Sequence, residues 1–234
     1  MEFDHVAEKQ QERKFTVWLK LLLNRSPENL SMQLAAKHWP GKLKSAYRWK
    51  NGTFNICYLV SYEDGSFVII RFAALGKAIL RKEKVENEVA IMKYLRCTSS
   101  IPVPEVFGSG ISVVGPYIVM SFIEGELLSQ LLKDQSTEGR PVLNPQLSDR
   151  SLRRAYCEMA AIILQLSRFE FDAIGALTEN EGRFNVGRRP LTLNMNELMA
   201  SANLSEEIFP LCTFQSSTEY LESLALQQLA HLQL

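Results

Sequence analysis

The sequence predicts an α+β fold on three observations. Residues 43–72 take the period of strands and are rich in aromatic and β-branched types; in residues 77–97 apolar side chains recur at three- and four-residue steps; and from residue 126 onward the pattern is mainly helical. An antiparallel sheet should come first, with a helical region behind it. With 46% hydrophobic and 22% charged residues among 234, the chain is globular and long enough for one large or two small domains.

Taken in order, residues 6–23 are helix-like. Ser26-Pro27-Glu28-Asn29 reads as a second helix start, with Ser26 as N-cap, Pro27 at the first helical position and acidic charge in the first turn; Pro40-Gly41 ends it. Trp18, Met32, Leu34 and Trp39 are packing residues of this part. Strands follow at 45–49, 54–62 and 67–72, the last two joined by the hairpin turn Glu63-Asp64-Gly65-Ser66. A helix is predicted over 77–97, where Val85, Val89, Met92 and Leu95 share one side and no Pro or Gly intervenes.

Ile101-Pro102-Val103-Pro104 then forces an extended chain into two further strands, 105–110 and 115–123. Gly108-Ser109-Gly110 opens no helix and lacks the third glycine of a dinucleotide fingerprint, so it reads as a turn. Residues 121–125 pass from apolar strand to acidic turn, as a connector between two lobes would. Helices are expected at 126–133 and 147–169, the second with Leu152, Tyr156, Met159, Ile163 and Leu166 on an inward stripe. A short hairpin falls in 171–186, punctuated by Gly175, Gly182 and Gly187, and a last helix in 218–234.

The organising piece is Phe67-Val68-Ile69-Ile70-Arg71-Phe72. Strand alternation places Arg71 on the otherwise apolar face of Phe67 and Ile69, and burying a guanidinium without a partner costs several kcal/mol. The following helix offers the partner: Glu88 falls inside its apolar arc, whereas Glu83 and Glu86 fall outside. A strand cation followed by an inward helix acid, with the turn Gly52-Thr53-Phe54-Asn55 upstream, matches the ion pair of kinase-like ATP sites. It equally matches a structural ion pair in an ordinary α+β domain, and the residues alone leave both open.

A formal net charge of zero and a pI near 6.8 give no bulk attraction to nucleic acid or acidic membranes, so small molecules or proteins are the expected partners. Cys57, Cys97, Cys157 and Cys212 are scattered, form no metal-ligand spacing with His5, His38 or His231, and read as reduced thiols. The first twenty residues are charged and polar and no apolar run approaches a membrane span, so the expectation is a soluble, cytoplasmic protein.

With its pieces in order, the chain resembles the aminoglycoside phosphotransferase and choline kinase-like family, in its fungal branch. The resemblance is carried by Gly52-Thr53-Phe54-Asn55, by Val68-Ile69-Ile70-Arg71-Phe72, by Glu88 in Lys84-Val85-Glu86-Asn87-Glu88-Val89, by Ile101-Pro102-Val103-Pro104-Glu105-Val106 and by Gly115-Pro116-Tyr117-Ile118-Val119-Met120. Phe171-Asp172-Ala173-Ile174-Gly175 and Arg189-Pro190-Leu191-Thr192 extend it, so that order and spacing match over residues 45–234. It implies a protein kinase-like fold of the aminoglycoside phosphotransferase type, with an antiparallel-sheet N-lobe and a partial helical C-lobe. Its divisions are a helical extension at 1–42, a nucleotide-binding lobe at 43–124 and part of a helical lobe at 125–234.

Carried over, the resemblance implies that Gly52, Thr53, Phe54 and Asn55 cover the phosphates of ATP and that Arg71 contacts them while pairing with Glu88. Ile69 packs on the base, Met120 borders the adenine pocket, and the backbone of Ser121 and Ile123 bonds the adenine edge. Arg71 stands where the wider kinase family has lysine. The family transfers a phosphoryl group to a small-molecule hydroxyl through a His-x-Asp catalytic loop and a later magnesium-binding Asp. The sequence contains neither: its one histidine downstream of these motifs is His231, and Asp172 follows a helix directly with no catalytic loop before it.

No catalytic residue and no metal ligand is therefore assigned. One expectation is a phosphotransferase cut before its catalytic loop, with ATP binding weak or lost and magnesium expected only in a full-length form. The alternative is a non-catalytic kinase-like binding or scaffold protein, and a third reading is an α+β domain whose resemblance is architectural. The helix at 218–234 is apolar over most of its circumference, which points to self-association through it.

Overall fold

The computed structural model describes residues 4–137, 139–201 and 204–233. In chain order its elements are α1 (Asp4–Leu23), α2 (Pro27–Ala36), β1 (Leu43–Asn51), β2 (Asn55–Tyr62), β3 (Phe67–Ala73), α3 (Arg81–Thr98), β4 (Val106–Ser112), β5 (Gly115–Ser121), α4 (Leu128–Leu132), α5 (Asp149–Leu166), β6 (Ala176–Asn180), β7 (Arg183–Arg188), α6 (Leu193–Ser201) and α7 (Ser217–Leu232). This is an α+β fold, an antiparallel sheet followed by a helical region. The chain divides into two compact units, one holding the described residues up to Phe122 and from Phe171 onward, the other Ile123–Glu170.

In the first unit five antiparallel strands run in the order β1-β2-β3-β5-β4. Register carries the alternation seen in the sequence across the sheet. Tyr58, Val60, Val68, Ile70, Phe72 and Val119 share one face and bury against Trp18, Leu22, Leu34 and Ala35 of α1 and α2. The indole of Trp18 donates to the Val114 carbonyl at 2.7 Å, which satisfies its one polar atom inside this core. The opposite face receives α3, where Val85 and Val89 pack on Ala73, Ile118, Val106 and Met120.

Several local expectations are corrected. Ser26 precedes α2 but takes a left-handed backbone (φ 48°) and its side chain makes no cap bond; a capping serine needs extended backbone, and here only its carbonyl serves, accepting from Leu30 N–H. Gly108-Ser109-Gly110 is no turn but lies inside β4. The His38 ring occupies the place a side chain at Gly108 would need, and the Tyr117 hydroxyl end crowds Gly110. β1 is an outer strand, and Lys44, Arg48 and Lys50 lie exposed along it on alternate positions.

The C-terminal part of this unit opens with the hairpin β6–β7, whose two-residue loop Glu181-Gly182 has positive φ at both positions (51° and 77°), as a tight hairpin of native twist requires. α6, not anticipated from the sequence, starts where the Thr192 hydroxyl accepts from Met195 N–H at 3.1 Å. It packs Met195 and Leu198 with Leu204 and Phe209. In α7, expected to be apolar over most of its circumference, the covered side carries Gln227, 2% exposed, with half-buried Leu224 and Ala230, whereas Leu221, Leu226, Leu229 and Leu232 are open to solvent. The cause is its docking through Ala230 on the α6 cluster and through Gln228, which donates to Asn194 Oδ1 at 3.0 Å. Residue 234, the last of the helix expected from the sequence, lies outside the described residues.

The second unit holds α4 and α5. Ser148 caps α5, accepting from Ser151 N–H at 3.2 Å. The stripe expected to face inward is only half-buried at Leu152 and exposed at Tyr156, Met159, Ile163 and Leu166. The helical period is present, but among the described residues of its own unit the other helix is the five-residue α4, which offers little surface to cover it. No helix among the described residues is long and apolar enough to cross a membrane.

Candidate functional site

Strand register assembles most of the expected site on the α3 face of the sheet. Leu59, Ile69 and Met120 stand side by side across β2, β3 and β5, and Cys57, Arg71 and Ile118 form the next row. Glu88 descends from α3 onto this row: Arg71 Nη2 and Lys84 Nζ each donate to one of its carboxylate oxygens. Lys84 was not singled out in the sequence, although its spacing of four from Glu88 is a readable ion-pair signal. Two cations on one carboxylate leave the cluster with a net positive charge, a local potential suited to an anion. The Cys57 thiol is pushed up by burial, an effect that the neighbouring Arg71 guanidinium opposes.

The loop between β1 and β2 closes by a bond from Gly52 N–H to the Asn55 carbonyl at 2.9 Å. Gly52 and Thr53 are exposed, and Asn55 opens β2 opposite Ala73. Phe54 is half-buried and anchored through its carbonyl, which accepts from Ala74 N–H at 2.9 Å. Its ring lies 5.9 Å from Lys84 Nζ, so the loop touches the charge cluster through this lysine. Beside it Phe54, Lys77, Leu80, Lys84, Leu191 and Asn196 border a cavity of about 140 Å³.

At the other end of the face the Ser121 N–H donates to the Glu105 carbonyl at 2.8 Å, and its hydroxyl accepts from Glu105 N–H at 2.9 Å, which commits the Ser121 amide to the sheet. Ile123, the remaining predicted contact, belongs to the second unit and is exposed. Sequence reasoning missed an aromatic group here. Trp49, 40% exposed, meets Phe122 edge-on at 5.4 Å between ring centres and lies 6.2 Å from Tyr47, and Phe67 lies 5.9 Å from Phe122. Alternation in β1 puts Tyr47 and Trp49 on the face of Leu59 and Ile69, which is the signal that could have found them.

Away from the sheet, α3 has a second covered side. Glu83 and Glu86, outside its apolar arc in sequence, take buried or half-buried arginines: Arg189 forks onto Glu83 (2.9 and 2.5 Å) and also reaches Glu206 at 2.5 Å, while Arg188 pairs with Glu86. Bonding to Glu83, reinforced by Glu206, raises the Arg189 guanidinium above its ordinary value against the opposing effect of burial.

Among the described residues no three His, Cys, Asp or Glu side chains are grouped as metal ligands. Both oxygens of Glu88 are engaged by cations, so its carboxylate does not fit magnesium in this arrangement. Asp64 closes its own turn by accepting from Ser66 N–H (2.9 Å) and hydroxyl (2.7 Å), and Asp172 lies exposed in the bend before β6.

No family model and no curated protein matches the chain. Among solved structures it is similar, at 15% identity and a TM-score of 0.43, to a mutant of aminoglycoside 2'-phosphotransferase-IIIa in complex with GDP. The likeness covers 61% of this chain and 41% of that one, so the chain spans about two fifths of that protein's length.

Proposed function

We propose that this chain is a kinase-like nucleotide-binding protein that holds a nucleoside phosphate without transferring its phosphoryl group. The observation that carries the reading is the Arg71–Glu88–Lys84 cluster standing on the same sheet face as Ile69 and Met120, with exposed aromatic rings at the far end. A base packs on Ile69, Met120 and the Trp49 ring, for which base–aromatic stacking contributes about 1–3 kcal/mol. The phosphates meet Arg71 and Lys84 under the Gly52–Asn55 loop. ATP and ADP fit this donor set, whereas magnesium does not, because the one carboxylate in the cluster is already neutralised by two cations.

Fluorescence of Trp49 tests the proposal, with Trp49→Phe as the control for Trp18 and Trp39. ADP should quench more strongly than adenosine at equal concentration, Arg71→Ala should abolish that difference, and adding magnesium or a chelator should change neither. No response to ADP or ATP at millimolar concentration would sink it. The exposed leucines of α7 support a second element of the proposal, self-association of the chain through residues 218–234.

A further inference from the structure

Glu83, Glu86, Ala90 and Lys93 follow one another on α3 at steps of three, four and three, a single helical stripe on the side away from Glu88. Every charged member of that stripe is tied to the chain between β6 and α7. Glu83 takes the fork of Arg189, Glu86 takes Arg188, and Lys93 Nζ binds Glu179 of β6 at 2.7 Å. The loop entering α3 is tied as well, since Asn196 of α6 accepts from Ile79 N–H at 2.8 Å.

The sheet side of α3 is different in kind. Between its ends, where Arg81 donates to the Ala73 and Val114 carbonyls at 3.1 Å and Arg96 pairs with Glu105 at 2.9 Å, the Glu88 region rests on Val85 and Val89, whose apolar contact is non-directional and fixes distance better than register. A planar guanidinium holding a carboxylate by two nitrogens fixes both. Of the three arginine and lysine ties, that of Arg189 is the deepest, at 6% exposure, and it alone engages two carboxylates, joining α3, the chain after β7 and the turn at Glu206. Glu88 stands on the same rigid helix five residues beyond Glu83, so the place of one sets the place of the other.

We propose that Arg189 is a positioning residue: by holding Glu83 to Glu206 it sets the register of α3 over the sheet, and so decides whether Glu88 meets Arg71. The consequence for ligand, that Arg71 is presented to phosphate only while this clamp is closed, rests on the nucleotide-binding reading; the clamp itself does not.

The test is a double-mutant cycle of Arg71→Met and Glu88→Gln, followed by urea unfolding in the parent and in the Arg189→Gln chain. In the parent the pair should couple by about tenfold in the unfolding equilibrium constant, and with Arg189→Gln by less than about threefold. Arg189→Lys, which keeps the charge but not the fork, should fall between. Leu34→Ala, in the core on the opposite sheet face, should lower stability and leave the coupling whole, which separates positioning from general weakening. Coupling unchanged by Arg189→Gln overturns the proposal. Should that variant fail to fold, Glu206→Gln, at a half-exposed position, decides on the same criterion. Coupling lost in a chain that binds no ADP supports the clamp and removes the nucleotide reading; ADP bound with coupling intact does the reverse.

Discussion

The imidazole of His38 fills the space that any side chain at Gly108 would need, and its Nε2 lies 3.0 Å from the Tyr117 hydroxyl. Gly108 is thus required by a close approach between the end of α2 and β4. Gly108→Ala should displace the ring and cost about 1–3 kcal/mol, as overpacking of a tight contact does. Urea midpoints of the variant and of Ser109→Ala, its exposed neighbour, check this; equal midpoints would count against the contact.

Burial, and then the charge of Lys37, hold His38 below the ordinary histidine value. The folded state therefore binds fewer protons here than the unfolded chain between the two values. Its contribution is fully present above the unfolded value, near pH 6.5, and is lost as pH falls through the lower folded value. Melting temperatures of the parent should drop more between pH 7 and pH 5 than those of His38→Gln; parallel curves for the two proteins would contradict the assignment.

Removing Glu88 leaves both Arg71 and Lys84 without their carboxylate, on side chains only 20% and 19% exposed. Glu86 pairs with Arg188 and more loosely with Lys82 (3.9 Å), in a more open setting. Glu88→Ala should therefore destabilise by about 1–3 kcal/mol, discounted from a fully buried pair because water reaches the cluster, and by more than Glu86→Ala. Thermal unfolding of the two variants side by side decides the order.

Cys57 is half-buried with its thiol held up by burial, whereas Cys97, Cys157 and Cys212 are exposed. A thiol reagent at neutral pH should modify three cysteines quickly and Cys57 slowly. Arg71→Ala should slow Cys57 further, because the guanidinium opposes the upward shift. With a folded value above the unfolded one, the Cys57 contribution to stability is complete below the thiol range and declines as pH rises through it. Faster labelling of Cys57 in the variant would reverse the assigned role of Arg71.

Light scattering on the chain should show a mass that rises with concentration, and Leu221→Glu with Leu226→Glu, both at exposed positions of α7, should return it to monomer. A concentration-independent monomer mass for the parent would remove the self-association reading.

The sheet and the Arg71–Glu88 pair were legible because both rest on local periodicity: alternation puts Arg71 among Phe67 and Ile69, and helical spacing singles out Glu88. Periodicity names a face but not its partner. The stripe of Glu83 and Glu86 looked solvent-facing because Arg189 lies 106 residues beyond Glu83 and Arg188 lies 102 beyond Glu86. The regular apolar stripe of α5 is exposed, and Gln227 is buried while its leucine neighbours are not, for the same reason: which side of a helix is covered depends on what docks against it. The Gly52–Asn55 turn was placed correctly between β1 and β2, yet its link to the charge cluster runs through Lys84, a residue on another element.

The cations along β1 bear on how copies of the chain could meet. An outer strand offers a row of unpaired amides and carbonyls to any strand that drifts past, and this is a common beginning of fibrous assembly. Two copies joining there would bring Lys44, Arg48 and Lys50 of each against the same charges of the other, with no acid on β1 to offset them. That repulsion disfavours strand addition at β1, so an assembly built through α7, if it forms, would keep its helical signature in circular dichroism and would not recruit β1 into cross-β stacking.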